Sequence, residues 1–98
     1  MRSMLETPGA RLKLLLELRR RGLYVHMHAY EYILGYGGRI VGVVLLEPWR
    51  GTAELYAGEE LPPEVLALLR GALREVDPHV KLLVVSTRVE RPGRGAPG

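Results

Sequence analysis

Apolar and polar residues alternate through LYVHMHAYEYIL, residues 23–34. A period of two is the signature of an extended strand with a different environment on each face. Leu23, Val25, Met27, Ala29 and Ile33 then share the face expected to meet the helices. Tyr24, His26, His28, Tyr30 and Tyr32 share the other, with Leu34 and Tyr36 prolonging that second row. Ahead of this stretch the period is helical. In PGARLKLLLELRRRG (8–22), Leu12, Leu15 and Leu16 fall on one side, and Leu14 and Leu18 widen the stripe. Thr7-Pro8 provides an N-cap hydroxyl and a first-turn proline, and Gly22 the left-handed residue that closes the helix.

Downstream, GYGG (35–38) predicts a hairpin loop and RIVGVVLLE (39–47) a returning strand. Its near-continuous apolar run predicts burial on both faces, or a central place in a sheet. PWRG (48–51) turns the chain into a short strand over 52–57. GEELPPE breaks the sheet and opens a second helix, lined by Val65, Leu69, Ala72, Leu73 and Val76 and stopped at Asp77-Pro78. HVKLLVVST (79–87) predicts a fourth strand, buried and β-branched. The expected order is α-β-β-β-α-β: an α+β two-layer sandwich with a mainly antiparallel four-stranded sheet and both helices on one face. Residues 1–89 make one domain, and ERPGRGAPG (90–98) a flexible Gly/Pro/Arg-rich tail with few groups able to join a core.

Composition narrows the class of protein. Ninety-eight residues, 47% apolar and 26% charged, describe one globular domain near the lower size limit for a single core. The absence of cysteine excludes a disulfide framework and a thiolate zinc site. VGVVLL and VKLLVV are too short to cross a bilayer, and MRSMLETPGA lacks the pattern of a secretory signal. A cytoplasmic protein with no membrane partner is therefore expected. With no Asn, no Gln, and many Arg beside few Lys, the composition suggests a thermophile's protein, though a Gly/Ala/Arg/Pro-rich genome gives a similar bias. It also lacks the amide side chains that read adenine bidentately.

The net charge of +3 is unevenly spread. Basic residues gather towards both ends, with Glu31, Glu47, Glu54, Glu64 and Glu75 between them. Such a distribution suits either a polyanion or complementary docking between subunits. Arg19, Arg20 and Arg21 fall in the last helical turn, where cations complement unpaired carbonyls. Together with Lys81 and Arg88 they are the candidate phosphate contacts.

Three chemistries could use the Tyr/His row. His26 and His28 lie two apart on one face of a strand, about 7 Å from each other, so both imidazoles could reach one metal. A third ligand would have to come from Glu54 or His79, Glu31 having the wrong parity, and His and Tyr are ordinary on a half-exposed strand. Tyrosines on an open sheet can also stack single-stranded bases, but Glu47 and Glu54 on neighbouring strands repel phosphate. Self-association suits best a face too aromatic to leave wet and too polar for a core. A homodimer through Tyr24, His26, His28, Tyr30, Tyr32, Tyr36 and Trp49 is expected, Trp49 in EPWRG serving as an anchor. The glycines of GYGGRIVG precede a strand, not a helix, and so serve a turn rather than a dinucleotide. Ser3 and Ser86 lack the context of a nucleophile, and Asp77 stands where a helix-ending turn wants it. No catalytic residue and no cofactor is expected.

The element order, with LRRRGLYV, GRIVGVVLLEP and VKLLVV, resembles the core of restriction-endonuclease-like folds. More narrowly, residues 12–85 resemble the C-terminal domain of archaeal tRNA-splicing endonucleases. In that family a Tyr, a His and a Lys carry RNA cleavage. The resemblance puts Tyr36 near the tyrosine and Lys81 near the lysine, while the His before the second strand is missing. LLEPW is also not the Glu-x-Lys of metal-dependent nucleases. The resemblance therefore implies an inactive, structural subunit, and it is fold-level analogy. The double-stranded-RNA-binding order is similar too, but EELPPE replaces that family's basic second-helix start. The leading expectation is a self-associating domain without catalysis of its own. A nucleic-acid-binding or nuclease-like accessory subunit is the alternative, and a metal-dependent enzyme using His26 and His28 comes third.

Overall fold

The first helix, α1 (Pro8–Arg20), begins and ends where its capping residues dictate. The Thr7 hydroxyl accepts from the Ala10 amide at 3.3 Å, and Pro8 occupies the first turn. At the other end Gly22 takes φ +99°, which lets its own amide reach Arg19 O and that of Leu23 reach Leu18 O. That paired closure satisfies carbonyls the helix would otherwise leave bare. Leu14, Leu15 and Leu18 are buried, whereas Leu12 and Leu16, expected on the inner stripe, are exposed. Leucine fills nearly every position here, so periodicity alone cannot choose the face. Helix α2 (Pro63–Val76) buries Val65, Leu69, Ala72, Leu73 and Val76, as its spacing predicts.

This computed structural model describes residues 3–58 and 61–86; the expected 90–98 tail and Arg88 lie outside them. Between and after the helices run β1 (Tyr24–His28), β2 (Glu31–Tyr36), β3 (Arg39–Glu47), β4 (Thr52–Ala57) and β5 (Lys81–Ser86). They lie side by side in that order, antiparallel from β1 to β4, with β5 parallel to β4. The α+β class and the placement of β3 at the sheet's centre agree with the sequence. The count does not: the sheet is five-stranded and mixed, where a mainly antiparallel four-stranded one was expected.

The extra strand comes from a turn inside the alternating stretch. His28 pairs with Glu31, so Ala29 and Tyr30 form a two-residue loop, and Ala29 takes φ +56°. Positive φ at the first loop position is the habit of a tight hairpin, usually met by glycine. The turn also reverses parity. Tyr32 comes opposite Met27 and Leu34 opposite Val25, facing the helices, while Ile33 comes opposite His26 on the outer side. Tyr32 and Leu34 are accordingly fully buried.

One core forms between the inner sheet face and the two helices. It joins Leu14 and Leu18, Leu69 and Leu73, and Val25, Tyr32, Val44, Leu46 and Leu55. Ahead of α1, a short 3-10 turn (Met4–Glu6) is tied to the residue that closes α2. Asp77 accepts from Ser3 Oγ at 2.7 Å, from the Met4 amide at 3.0 Å and from the His79 amide at 3.0 Å.

Candidate functional site

Cross-strand pairing lays out the outer face of the sheet in rows. His26, Ile33, Val43, Tyr56 and Val85 form one row, and His28, Glu31, Leu45, Glu54 and Leu83 the next. Glu47, Thr52 and Lys81 continue at the sheet's end. Ile33, Val43 and Leu45 are half-buried among their neighbours, and Leu83 and Val85 are exposed. The result is an apolar centre with charged and imidazole groups around it. Tyr56 donates to Glu54 Oε1 at 2.6 Å. That bond, some desolvation, and the charges of Glu54 and Glu47 push the phenol above its ordinary pKa.

The tyrosines and histidines expected to share this face are divided by the hairpin. Tyr24, His26 and His28 are exposed on the outer side. Tyr32 is in the core, its hydroxyl donating to Arg11 O at 2.7 Å, and burial raises its pKa strongly despite the nearby Arg11 charge. Tyr30, at the turn, lies under the Arg11 guanidinium at 4.3 Å and meets Trp49 edge to face at 5.5 Å. The half-exposed Trp49 thus packs on the hairpin, and Arg11 ties the same tyrosine to α1. The Tyr36 hydroxyl reaches Glu64 of α2 at 3.4 Å.

The basic triplet is engaged within the fold. Arg19 donates to Val25 O at 3.0 Å, Arg20 pairs with Glu17 at 2.9 Å, and Arg21 reaches Gly71 O at 3.2 Å and Glu17 at 3.4 Å. Hydrogen bonding from Arg20 leads the effects that hold the Glu17 carboxyl below its ordinary pKa. Lys81 stands apart at the outer end of β5. Tyr36 ends β2 at the opposite end of the sheet, about 25–30 Å from Lys81 by strand spacing. The two side chains singled out by the nuclease resemblance therefore cannot meet at one scissile bond.

His26 and His28 do share a face, and Glu31, assigned by parity to the opposite face, shares it with His28. Among the described residues, however, no three His, Asp or Glu side chains converge as metal ligands. Ser3, Asp77 and His79 line a hollow of about 240 Å³ with Arg50, Thr52 and Lys81. The chemistry there is that of a clamp. Ser3 Oγ spends its proton on Asp77 and accepts from the Leu5 amide, and His79 reaches Asp77 through its backbone. A larger hollow, about 460 Å³, lies beside the β2–β3 turn and is lined by glycine backbone with Tyr24, Tyr36, Arg39 and Ile40.

The feature that sequence reasoning missed is the apolar band itself: Ile33, Val43, Leu45, Leu83 and Val85. Its signal was present in β3 and β5, whose runs are apolar at both parities. No protein-family model, curated protein or solved structure matches the chain.

Proposed function

We propose that the protein is a self-associating structural module, which meets a second copy of itself at the β5 side of its sheet, where the apolar outer surface runs out to the exposed edge. The observation that carries this reading is the exposure of Leu83 and Val85, at 40% and 37%, next to the band of Ile33, Val43 and Leu45. Apolar side chains gathered on one surface, with polar groups at the rim, are the anatomy of an interface. Each such side chain removed from water contributes about 1 kcal/mol or more. The charges around the band favour a protein partner over a polyanion. Glu31, Glu47 and Glu54 lie on this face, and Arg19, Arg20 and Arg21 are committed to carbonyls and Glu17.

Light scattering is the direct test, with a dimer expected at micromolar concentration. Replacing both Leu83→Glu and Val85→Glu should weaken that dimer by about a hundredfold or more, since two buried apolar anchors become charges. Leu12→Glu, on the exposed side of α1, should leave it unchanged. A wild-type chain that stays monomeric throughout the micromolar range would end this reading.

A further inference from the structure

Strand β5 occupies a position at odds with its composition. KLLVVS is apolar at both parities, the pattern of a strand flanked on both sides and covered on both faces. The fold places it at the edge, with β4 as its neighbour and no strand beyond it among the described residues. Edges are ordinarily blunted by charges, proline or bulges. Here Lys81 alone, at the very start of the strand, plays that part. Val84 adds a second anomaly. It is paired with the buried Leu55 on the helix side, yet it is 49% exposed.

Backbone geometry says which groups are open. The Lys81 amide donates to Gly51 O at 2.9 Å, so Lys81 turns its peptide groups towards β4. Alternation along the strand turns those of Leu83 and Val85 the same way, and those of Leu82, Val84 and Ser86 outward. We infer that β5 pairs antiparallel with β5 of a second copy, about a two-fold axis at Val84, and joins the two sheets into one. The inference rests on the self-association reading and specifies its geometry.

That register is the one the strand's own pattern selects. It sets Val84 opposite Val84, and Leu82 opposite Ser86, as hydrogen-bonded pairs that use every outward group. Leu83 then faces Val85 of the other copy across a close pair on the outer side, extending the apolar band through the joint. A slip of one residue would oppose groups already bonded to β4 and send side chains to the wrong face. The antiparallel arrangement also keeps the two Lys81 ammonium groups at opposite ends of the joint. The same patch serves both copies, so the contact closes at two.

Amide hydrogen exchange, read by NMR beside light scattering, tests the pairing in the full chain. In the dimer, the Leu82, Val84 and Ser86 amides should exchange at least about a hundredfold more slowly than in the monomer reached by dilution. Leu83 and Val85, bonded to β4, serve as reporters protected in both states. Val84→Pro removes an outward donor while sparing the β4 ladder, and should yield a folded monomer by circular dichroism. A dimer in which Leu82, Val84 and Ser86 exchange freely, or a Val84→Pro dimer of wild-type affinity, would overturn the pairing and leave self-association standing. A wild-type monomer at every concentration would remove both. Protection of those three amides in a monomer would mean that the chain covers its own edge, and would also overturn the inference.

Discussion

Asp77 gathers three donors that otherwise belong to separate parts of the chain: the Ser3 hydroxyl and the Met4 and His79 amides. Burial pushes its carboxyl up, but those bonds, with the nearby His79 imidazole, outweigh burial and hold it below the ordinary value. A carboxyl depressed in the folded state contributes stability above the unfolded pKa, and loses it as pH falls through the folded one. Asp77→Ala should therefore cost about 2–3 kcal/mol at neutral pH. The gap between wild type and variant, measured by urea unfolding, should narrow on acidification below about pH 4. A gap independent of pH would show that the ionised form contributes nothing. Tyr32 is simpler: Tyr32→Phe keeps the packing and loses the bond to Arg11 O, at about 1 kcal/mol in the same assay. Asp77 was legible as the end of a helix. Its partner Ser3 was not, because nothing local marks a contact between residues 74 apart.

The hairpin between β1 and β2 decides which side chains reach the core. Ala29 carries none of the usual turn signals, yet adopts φ +56°. Periodicity could read the alternation on either side of it but not the reversal of parity within it. Tyr32 and Ile33 were consequently assigned to each other's faces. The position has a test of its own. Ala29→Val should lower stability by about 1–2 kcal/mol, because a β-branched residue resists positive φ. Ala29→Gly should stay within about 0.5 kcal/mol of wild type, strain relief being offset by a freer unfolded chain. Equal melting temperatures for the two variants would contradict the turn. In the middle of β3, Gly42 has a different role. A Cβ there would come within 3.0 Å of Tyr56 O and 3.1 Å of Leu55 Cδ1. The carbonyl belongs to a paired strand and cannot move aside, so Gly42→Ala should cost about 1–3 kcal/mol in chemical denaturation.

At the scale of the molecule, both helices, the central strand and the helix-facing leucines of α2 could be read from periodicity and caps, since those signals are local. The rank of β5 in the sheet could not. A strand apolar at both parities announces that it is flanked, without saying whether the flanking strand comes from its own chain. That ambiguity makes the last prediction thermodynamic. If unfolding is coupled to separation of two copies, tenfold dilution removes about 0.7 kcal/mol per chain, half of RT ln 10 per dimer. For a domain of this size the melting temperature should fall by about 3–5 °C with each tenfold dilution. The doubly substituted Leu83→Glu, Val85→Glu chain should melt lower and independently of concentration, while Leu12→Glu should track wild type. In chelator-treated protein free of nucleic acid, self-association is what makes the melting temperature depend on concentration. A wild-type melting temperature constant over a hundredfold range of concentration would thus leave the exposed edge of β5 without a partner of its own kind.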